Sequence, residues 1–249
     1  MSVAAARCAE AAEPFPRFRA QKFETRLTRH VHLPYLLALP QLRNQAAAPA
    51  PARWPLLLFL HGAGERGNDL SRVLRHGPPA LVQQGTNFPF ILVAPQCPDG
   101  QRWDAEALMA LLEDCVRRLP VDPARVYVTG LSMGGYGTWK LGLLYPERLA
   151  AIVPICGGGE WIDVRLAGRE KADALRSLAV WAFHGARDNV VPLNESERMV
   201  NALKESGAQK VRFTVYPEAD HDAWTITYQK AELYQWLLEQ SRPTAAWPQ

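Results

Sequence analysis

Residues 126–134 read VYVTGLSMG, an apolar stretch that runs into a serine flanked by glycines. β-Favouring residues come first, and the segment after Gly134 carries apolar residues at helical spacing. A serine between Gly130 and Gly134 at such a junction occupies a strained turn, where its hydroxyl stands clear of the sheet. The stretch therefore predicts a strand, a sharp turn and a helix, with Ser132 presented at the turn as a nucleophile.

The rest of the chain repeats this alternation of strand and helix. Short apolar runs predict strands at 56–61, 91–95, 126–130, 150–155, 179–184 and 211–216. Apolar residues three and four apart predict helices at 70–84, 105–119, 134–145, 194–206 and 224–240. Strands this apolar are buried on both faces, so the sequence predicts an α/β fold with a doubly wound, mostly parallel sheet between helical layers.

The segments outside this alternation set the expected boundaries. Residues 23–39 alternate and predict an antiparallel N-terminal hairpin. We expect a disordered segment at 1–20, a single domain at 21–241 and a C-terminal tail at 242–249, since one core supports a chain of 249 residues. The stretch between Cys156 and the strand at 179–184 is too short for a large helical cap, which favours an open site.

Charge and hydropathy narrow the expected partners and location. The chain has 28 Lys and Arg against 25 Asp and Glu, without a basic block, so neither nucleic acid nor a membrane is an expected partner. No apolar run approaches the roughly 20 residues that span a bilayer. Residues 1–20 lack the apolar core of a signal peptide, which favours a cytoplasmic location, although a chain with its leader removed would look the same. The pattern does not predict an oligomeric state.

No metal site or cofactor is expected. The cysteines are widely spaced, without a C-x-x-C pair, and predict reduced, buried thiols. They are Cys8, Cys97, Cys115 and Cys156. His30 and His32 are able to share one strand face as metal ligands, but two solvated histidines on an edge strand are the favoured interpretation.

Ser132 needs a base and an acid. A serine hydroxyl is a weak nucleophile unless a histidine, itself oriented by an acid, lies within hydrogen-bond reach. In hydrolases built on this turn the acid and then the histidine follow the serine, each in a loop after a later strand. Asp188 and His221 fit those loops, so we assign Asp188 as acid and His221 as base. Asp163, in the loop after the preceding strand, stays open as the alternative acid.

The remaining histidines and the glycine-rich loop have other expected roles. His61 and His184 each close an apolar strand and predict packing or hydrogen-bonding groups. Residues 60–67 read LHGAGERG, in the position of a loop whose backbone N–H faces a developing oxyanion. We assign the N–H groups of Ala63 and Met133 to that role. A phosphate-cradling loop is the weaker alternative, because neither a P-loop Lys-Ser/Thr pair nor a G-x-G-x-x-G spacing is present.

Taken together, five segments resemble the α/β-hydrolase superfamily. They are LHGAGERG at 60–67, QCP at 96–98, GLSMGG at 130–135, HGARD at 184–188 and His221. They are most similar to its dienelactone-hydrolase-like and carboxylesterase branch, which includes feruloyl-esterase-like proteins and predicted peptidases. The resemblance implies an esterase that forms an acyl-enzyme on Ser132. Dienelactone hydrolases carry cysteine at that position, so their specific reaction is disfavoured.

The substrate is predicted only as a class. Trp103, Trp161 and Trp224 lie near loops at the carboxyl edge of the sheet and are candidate substrate-binding residues. The leading hypothesis is a serine carboxylesterase acting on soluble short-acyl or aryl esters, so a small-molecule ester is the expected partner. A serine peptidase of the same fold and a non-catalytic binding protein that retains the fold stay open as alternatives.

Overall fold

The computed structural model describes residues 21–40, 53–242 and 247 of the chain. Met1–Val31 forms one unit, whose described residues, 21–31, contain no helix or strand. His32–Gln249 forms a second, compact unit that contains all the described helices and strands. The segment expected to be disordered, 1–20, lies outside the described residues, and the domain boundaries remain predictions. None of the described helices has both the length and the apolar character needed to cross a bilayer.

A single sheet organises the described part of the chain. Its strands are β1 (Tyr35–Ala38), β2 (Trp54–Leu60), β3 (Ile91–Pro95), β4 (Val121–Leu131), β5 (Ala151–Ile155), β6 (Ala179–Gly185) and β7 (Val211–Tyr216). Their order across the sheet is β1-β3-β2-β4-β5-β6-β7. Every neighbouring pair is parallel except β1 with β3. The predicted α/β class, with a mostly parallel sheet, is confirmed.

The antiparallel element at the N-terminal edge differs in form from the predicted hairpin. The described residues of 23–39 contain one strand, β1, and it pairs with β3 rather than with a preceding strand. Phe23 and Leu27 are each 89% exposed, so the alternating residues ahead of β1 bury no apolar face. Pro34 then interrupts the run, because proline has no N–H to donate to a sheet.

The described residues also form eight α-helices. They are α1 (Gly77–Gln83), α2 (Ala105–Arg118), α3 (Met133–Leu144), α4 (Trp161–Glu170), α5 (Ala172–Ser177), α6 (Asn194–Glu205), α7 (Ala223–Gln229) and α8 (Ala231–Glu239). The predicted helices at 105–119, 134–145 and 194–206 correspond to α2, α3 and α6. The predicted helix at 224–240 is divided into α7 and α8 by the extended backbone of Lys230.

The predicted helix at 70–84 is also divided. A 3-10 helix, Leu70–Arg75, precedes α1, and His76 between them is extended. Pro78 and Pro79 follow, and prolines are accommodated in the first turn of a helix but not in its interior. A proline pair at this place starts a new helix instead of continuing the old one.

Helices α4 and α5 lie between β5 and β6, where the sequence pattern predicted no helix. Trp161, Ile162 and Leu166 of α4 are about half exposed, and these apolar side chains on the solvent side blur the expected helical pattern. Asp163 of α4 binds Lys140 of α3, and Val164 is buried in the core. The two helices therefore form a crossover connection on one face of the sheet.

Two apolar cores lie on opposite faces of the sheet. Because side chains alternate along a strand, Leu58 of β2 joins one core with Trp139 of α3, and Phe59 joins the other with Tyr228 of α7. Trp247, in the predicted C-terminal tail, is buried in the first core. Strands covered on both faces explain why continuous apolar runs, rather than alternating ones, predicted them.

The described cysteines are buried thiols, as predicted. Cys97, Cys115 and Cys156 are free and buried, whereas Cys8 lies outside the described residues. Burial raises the pKa of Cys97 and Cys115 to about 11 and that of Cys156 to about 12. All three are therefore protonated and unreactive at neutral pH, since the thiolate is the nucleophilic form.

The turn from β4 to α3 depends on a close approach of two backbones. Ser132 has a φ of 52° and a ψ of −116°, outside the regions that L-residues prefer. A β-carbon built on Gly134 would lie 1.9 Å from the carbonyl oxygen of Leu60, at the end of β2. Only glycine fits there, so this contact sets how closely α3 approaches the sheet.

We predict that Gly134→Ala lowers the free energy of unfolding by about 3 kcal/mol, because the added methyl group forces α3 away from β2. Gly64→Ala is the matched control, since its β-carbon meets nothing within 4 Å. It should stay within about 0.5 kcal/mol of the parent chain. Urea unfolding followed by circular dichroism measures both, and equal stabilities of the two variants would contradict this account of the turn.

Candidate active site

Ser132 lies between the end of β4 and the first turn of α3. Its N–H donates to the carbonyl oxygen of Ile155, at the end of β5, at 2.9 Å. Its own carbonyl oxygen accepts from the N–H of Tyr136 at 3.1 Å. These bonds hold the strained backbone from the strand side and from the helix side, and Oγ faces the loop that follows β7.

The ring of His221 bridges Ser132 and Asp188. Nε2 of His221 lies 3.0 Å from Ser132 Oγ, and Nδ1 lies 2.7 Å from Asp188 Oδ2. A carboxylate only accepts hydrogen bonds, so Nδ1 carries the ring proton and Nε2 is free to accept from the Ser132 hydroxyl. Such a chain allows a proton to move from Oγ to Nε2.

The fold explains why these three residues meet. Ser132 follows β4, Asp188 follows β6 and His221 follows β7. Parallel strands present their carboxyl ends at one edge of the sheet, so loops far apart in sequence converge there. The structure thus joins all three predicted residues in one hydrogen-bonded series, with His221 between Ser132 and Asp188.

Asp188 is held by donors on both oxygens. Oδ1 accepts from the N–H groups of Val190 and Val191, each at 2.9 Å, and Oδ2 accepts from His221. Burial raises the pKa of Asp188, but the hydrogen bonds from His221 and the two backbone groups together lower that pKa by more than burial raises it. The net effect is a pKa below the ordinary value, so this buried side chain is an anion at neutral pH.

Asp163, the alternative acid, has a different partner. It stands in the first turn of α4, where it accepts from Nζ of Lys140 at 2.7 Å. In the described part of the chain no hydrogen bond joins Asp163 to His221, whose Nδ1 is bonded to Asp188. The geometry therefore favours Asp188 as the residue that orients His221.

The two backbone groups assigned to an oxyanion each begin a helix. Ala63 is the first residue of a 3-10 helix, Ala63–Glu65, and Met133 is the first residue of α3. The first N–H groups of a helix have no partner inside it and carry the positive end of its dipole. A β-carbon built on Gly62 would lie 3.7 Å from that of Ser132, so the loop carrying Ala63 lies against the serine.

Glu65 is a site residue that the sequence analysis missed. It is buried, and its Oε2 accepts from the N–H of Gly62 at 3.1 Å. Nε2 of Gln96 donates to the carbonyl oxygen of Glu65 at 2.8 Å. These bonds fix the loop that carries Ala63. An acidic residue between the glycines of 60–67 was the available signal, but its partners are visible only in the fold.

His61 supports the same loop, in the hydrogen-bonding role that the sequence predicted. Its Nε2 accepts from the N–H of Cys97 at 3.0 Å, so its proton is on Nδ1, 2.6 Å from the carbonyl oxygen of Gly62. Burial lowers the pKa of His61, which keeps the ring neutral. Neutral His61 thereby ties the loop to the segment after β3.

A cavity of about 710 Å³ opens beside Ser132. Apolar and aromatic groups in its wall include Met133, Leu143 and the rings of Trp103 and Tyr136. The wall also contains six ionisable side chains: Arg102, Lys140, Glu160, Asp163, Glu195 and Arg198. Four of these form the ion pairs Lys140–Asp163 and Arg198–Glu195.

The structure separates the three candidate tryptophans. Trp103 lines the cavity and donates from Nε1 to the carbonyl oxygen of His61 at 3.0 Å. Trp224 lies outside the cavity wall, where its ring meets that of His221 edge-on at a centroid distance of 5.0 Å. Trp161, at the start of α4, is half exposed and also outside the wall. Only Trp103 is therefore placed to touch a molecule in the cavity.

Within the described residues, three side chains cluster closely enough to hold a cation. The candidate ligand atoms of Cys156, His184 and Asp188 lie within 4.8 Å of one another. Both ring nitrogens of His184 have protein partners, Asp188 is bonded to His221, and burial keeps Cys156 protonated. These protein partners and the protonated thiol account for the cluster, and we assign no metal to it. His30 and His32 are each exposed.

Known proteins resemble this chain in both sequence and fold. The model of the phospholipase/carboxylesterase family matches residues 96–234, a segment that includes Ser132, Asp188 and His221. A thermostable esterase of known structure superposes with a TM-score of 0.66 at 35% identity, over 85% of this chain and 60% of that one. The resemblance to α/β-hydrolases noted from the sequence is confirmed by both.

Two further relatives are longer proteins. Poly(3-hydroxyalkanoate) depolymerase C of Paucimonas lemoignei is 28% identical over 199 residues, which cover 63% of this chain and 46% of the depolymerase. The bifunctional acetylxylan esterase/xylanase XynS20E of Neocallimastix patriciarum is 24% identical over 192 residues, covering 73% of this chain and 26% of that protein. The chain therefore spans less than half the length of either relative.

We predict that Asp188→Asn destabilises the fold in a pH-dependent manner. Because the pKa of Asp188 is depressed in the folded state, its contribution to stability is present above the unfolded pKa, about 3.9, and is lost as the pH falls through the folded pKa. At pH 5 the variant should be less stable by about 1.5–3 kcal/mol, the range for hydrogen bonds to a charged group. At pH 3 the difference in the free energy of unfolding between the variant and the parent chain should be smaller.

Asp163→Asn is the matched control, since it breaks an ion pair with the half-exposed Lys140. It should cost no more than about 1 kcal/mol. Urea unfolding at the two pH values measures both variants. A gap for Asp188→Asn that is the same at pH 3 and pH 5 would show that Asp188 is not a stabilised anion.

Proposed function

This chain belongs to the phospholipase/carboxylesterase family, and from that premise we propose that it is a serine carboxylesterase that hydrolyses soluble short-acyl or aryl esters. The observation that carries the proposal is the ring of His221, which is bonded to Ser132 through one nitrogen and to Asp188 through the other. Ser132 is then the nucleophile, His221 the general base and Asp188 the acid that orients it.

The first half of the reaction transfers the acyl group to the enzyme. His221 Nε2 takes the hydroxyl proton as Ser132 Oγ attacks the ester carbonyl carbon. The carbonyl oxygen becomes an oxyanion that accepts from the N–H groups of Ala63 and Met133, where the positive ends of two helices meet it. The protonated His221 gives its proton to the departing alkoxide, the ester C–O bond breaks, and the acyl group remains on Ser132.

The second half repeats these steps with water. His221 takes a proton from a water molecule as its oxygen attacks the acyl carbon, and returns that proton to Ser132 Oγ when the acyl C–O bond breaks. The products are one alcohol and one carboxylic acid. Asp188 stabilises the imidazolium of His221 in both halves without itself taking a proton.

The cavity supports the proposed range of substrates. The flat face of Trp103 suits an aryl group. A long alkyl chain would displace water from the ionisable side chains in the wall, and desolvating a charged group is costly. The relatives include an esterase of known structure, a poly(3-hydroxyalkanoate) depolymerase and an acetylxylan esterase, which favours an ester over an amide substrate. A cytoplasmic location stays a prediction.

We predict that Ser132→Ala lowers kcat on p-nitrophenyl acetate about 10⁵-fold or more, because the alanine side chain has no nucleophile. Ser177→Ala, which removes a hydroxyl from α5, is the control and should keep full activity. Thermal unfolding should be unchanged in both variants. Hydrolysis by Ser132→Ala at the parent rate would rule out the acyl-enzyme.

A substrate panel separates the esterase from a peptidase and tests the acyl range. We expect hydrolysis of p-nitrophenyl acetate, no detectable hydrolysis of the matched amide p-nitroacetanilide, and a kcat/KM for p-nitrophenyl octanoate lower by about tenfold or more. Release of p-nitrophenol or p-nitroaniline is followed by absorbance. Comparable rates on the ester and the amide would favour the peptidase, and a preference for octanoate would contradict the short-acyl assignment.

A further inference from the structure

His184 lies behind Asp188 and takes no part in the steps described above. It stands near the end of β6 and is fully buried. Its Nδ1 is 2.8 Å from Ser196 Oγ, and its Nε2 is 2.9 Å from the carbonyl oxygen of Val191. The same Nε2 is 3.2 Å from Oδ2 of Asp188. Asp188 thus lies between two histidine rings, one buried and one at the reaction site.

The partners of His184 determine where its proton is. A carbonyl oxygen and a carboxylate only accept hydrogen bonds, so Nε2 must carry a proton. Ser196 has one hydroxyl proton and two acceptors within reach, Nδ1 of His184 and the carbonyl oxygen of Gly157 at 2.7 Å. If Ser196 donates to Nδ1 the ring is neutral, and if it donates to Gly157 the ring is a cation. In both cases Nε2–H donates to the carbonyl oxygen of Val191, and Nε2 lies 3.2 Å from Asp188 Oδ2.

The buried ring of His184 also lies against the carboxylate. Oδ1 of Asp188 accepts from two backbone N–H groups in the turn that follows it, and Oδ2 accepts from His221 and lies 3.2 Å from Nε2 of His184. Val191 closes the turn from both ends, because its N–H donates to Asp188 and its carbonyl oxygen accepts from His184. The carboxylate is therefore unable to rotate without breaking a bond on each oxygen.

From this arrangement we propose that His184 is a positioning residue. Its Nε2–H holds the carbonyl oxygen of Val191 and with it the turn that orients the Asp188 carboxylate, and this polar group, 3.2 Å from Oδ2, limits how strongly Asp188 binds the His221 ring. The hydrogen bonds stand on their own, while the kinetic consequence rests on the proposed function. Ser196 anchors the ring of His184 to Gly157, which lies two residues before Gly159 of the cavity wall. These hydrogen bonds therefore connect the cavity wall to the surroundings of Asp188.

Among the described residues, few titratable groups lie near Asp188 and His184. Of the titratable side chains, His184, His221 and the Cys156 thiol lie against Asp188, and Tyr136 senses its charge. Burial raises the pKa of both the Cys156 thiol and the Tyr136 phenol, so both are neutral where the enzyme is expected to work. If substitution of His184 changes the pH dependence of the reaction, Asp188 is therefore the group that transmits the change to His221.

The kinetic test compares His184→Leu with His184→Gln. Leucine removes both ring nitrogens, whereas glutamine keeps an N–H donor at about the reach of Nε2. On p-nitrophenyl acetate, His184→Leu should lower kcat about 10-fold to 100-fold, the cost of a misplaced catalytic group. KM should be unchanged, because His184 is outside the cavity wall. His184→Gln should restore most of kcat.

The pH profile distinguishes positioning from packing. In His184→Leu, the polar Nε2–H that lies 3.2 Å from Oδ2 is lost and Asp188 binds His221 more strongly, so the acid limb of kcat/KM should move to higher pH by about half a unit or more. His184→Gln should return the limb to its parent position. Leu203→Met, a volume-conserving change on the buried side of α6, is the control and should move neither quantity. A lower kcat with an unmoved acid limb would overturn the proposal.

The second test uses the unsubstituted protein and needs no substrate. ¹⁵N NMR of the histidine rings, assigned through their backbones, reports which nitrogen of His184 is protonated. We expect Nε2 to stay protonated from pH 5 to pH 8, and a bare Nε2 at any of these pH values would overturn the proposal. An enzyme that shows protonated Nε2 but hydrolyses no ester would contradict the proposed function alone, so the two failures are distinguishable.

Discussion

The approach of α3 to the end of β2 is the constraint on which the rest of the site depends. Gly134 lies so close to the carbonyl oxygen of Leu60 that no side chain fits between them. The chain therefore turns sharply at Ser132, which takes a positive φ, and the strain is held by a sheet whose strands are buried on both faces. The same turn brings the start of α3 and the start of the Ala63–Glu65 helix to one hydroxyl group.

Electrostatically, the site is built around one buried anion. The side chains of Asp188 and His184 are fully buried, while that of His221 is 18% exposed. A buried carboxylate is expensive to desolvate, and here the hydrogen bonds from two backbone N–H groups and the His221 ring offset that cost. In the hydrogen-bonded series of Ser132, His221 and Asp188, protons consequently exchange with solvent at the Ser132 end. Asp188, at the buried end, keeps its charge and its orientation.

Sequence patterns predicted the elements that burial determines. Continuous apolar runs identified β2 to β7 because those strands are covered on both faces, and the loops that follow three of them located Ser132, Asp188 and His221. The pattern failed where exposure or chain geometry decides. Alternation at 23–39 suggested a pair of strands, but Phe23 and Leu27 at its start are exposed, and the exposed Trp161 and Ile162 obscured α4.

The sequence did not predict the hydrogen bonds that support the site, and the reason is a different one. Glu65 with Gln96 and His184 with Ser196 pair residues on different elements, and neither spacing nor residue type shows which elements will meet. The positions of Trp161 and Trp224 near the carboxyl edge of the sheet made them candidates, but position alone does not show which ring faces the cavity. Only the folded chain shows that Trp103 alone of the three lines the cavity.

Reaction with a fluorophosphonate tests the central claim, an activated Ser132, most directly. Such probes phosphonylate a serine whose hydroxyl loses its proton to a neighbouring base, and fluoride is the leaving group. Intact-mass measurement after brief exposure at neutral pH should show one adduct per chain, mapped by peptide sequencing to Ser132, and His221→Ala should remove it. No adduct, or one on another residue while Ser132 stays free, would contradict the account.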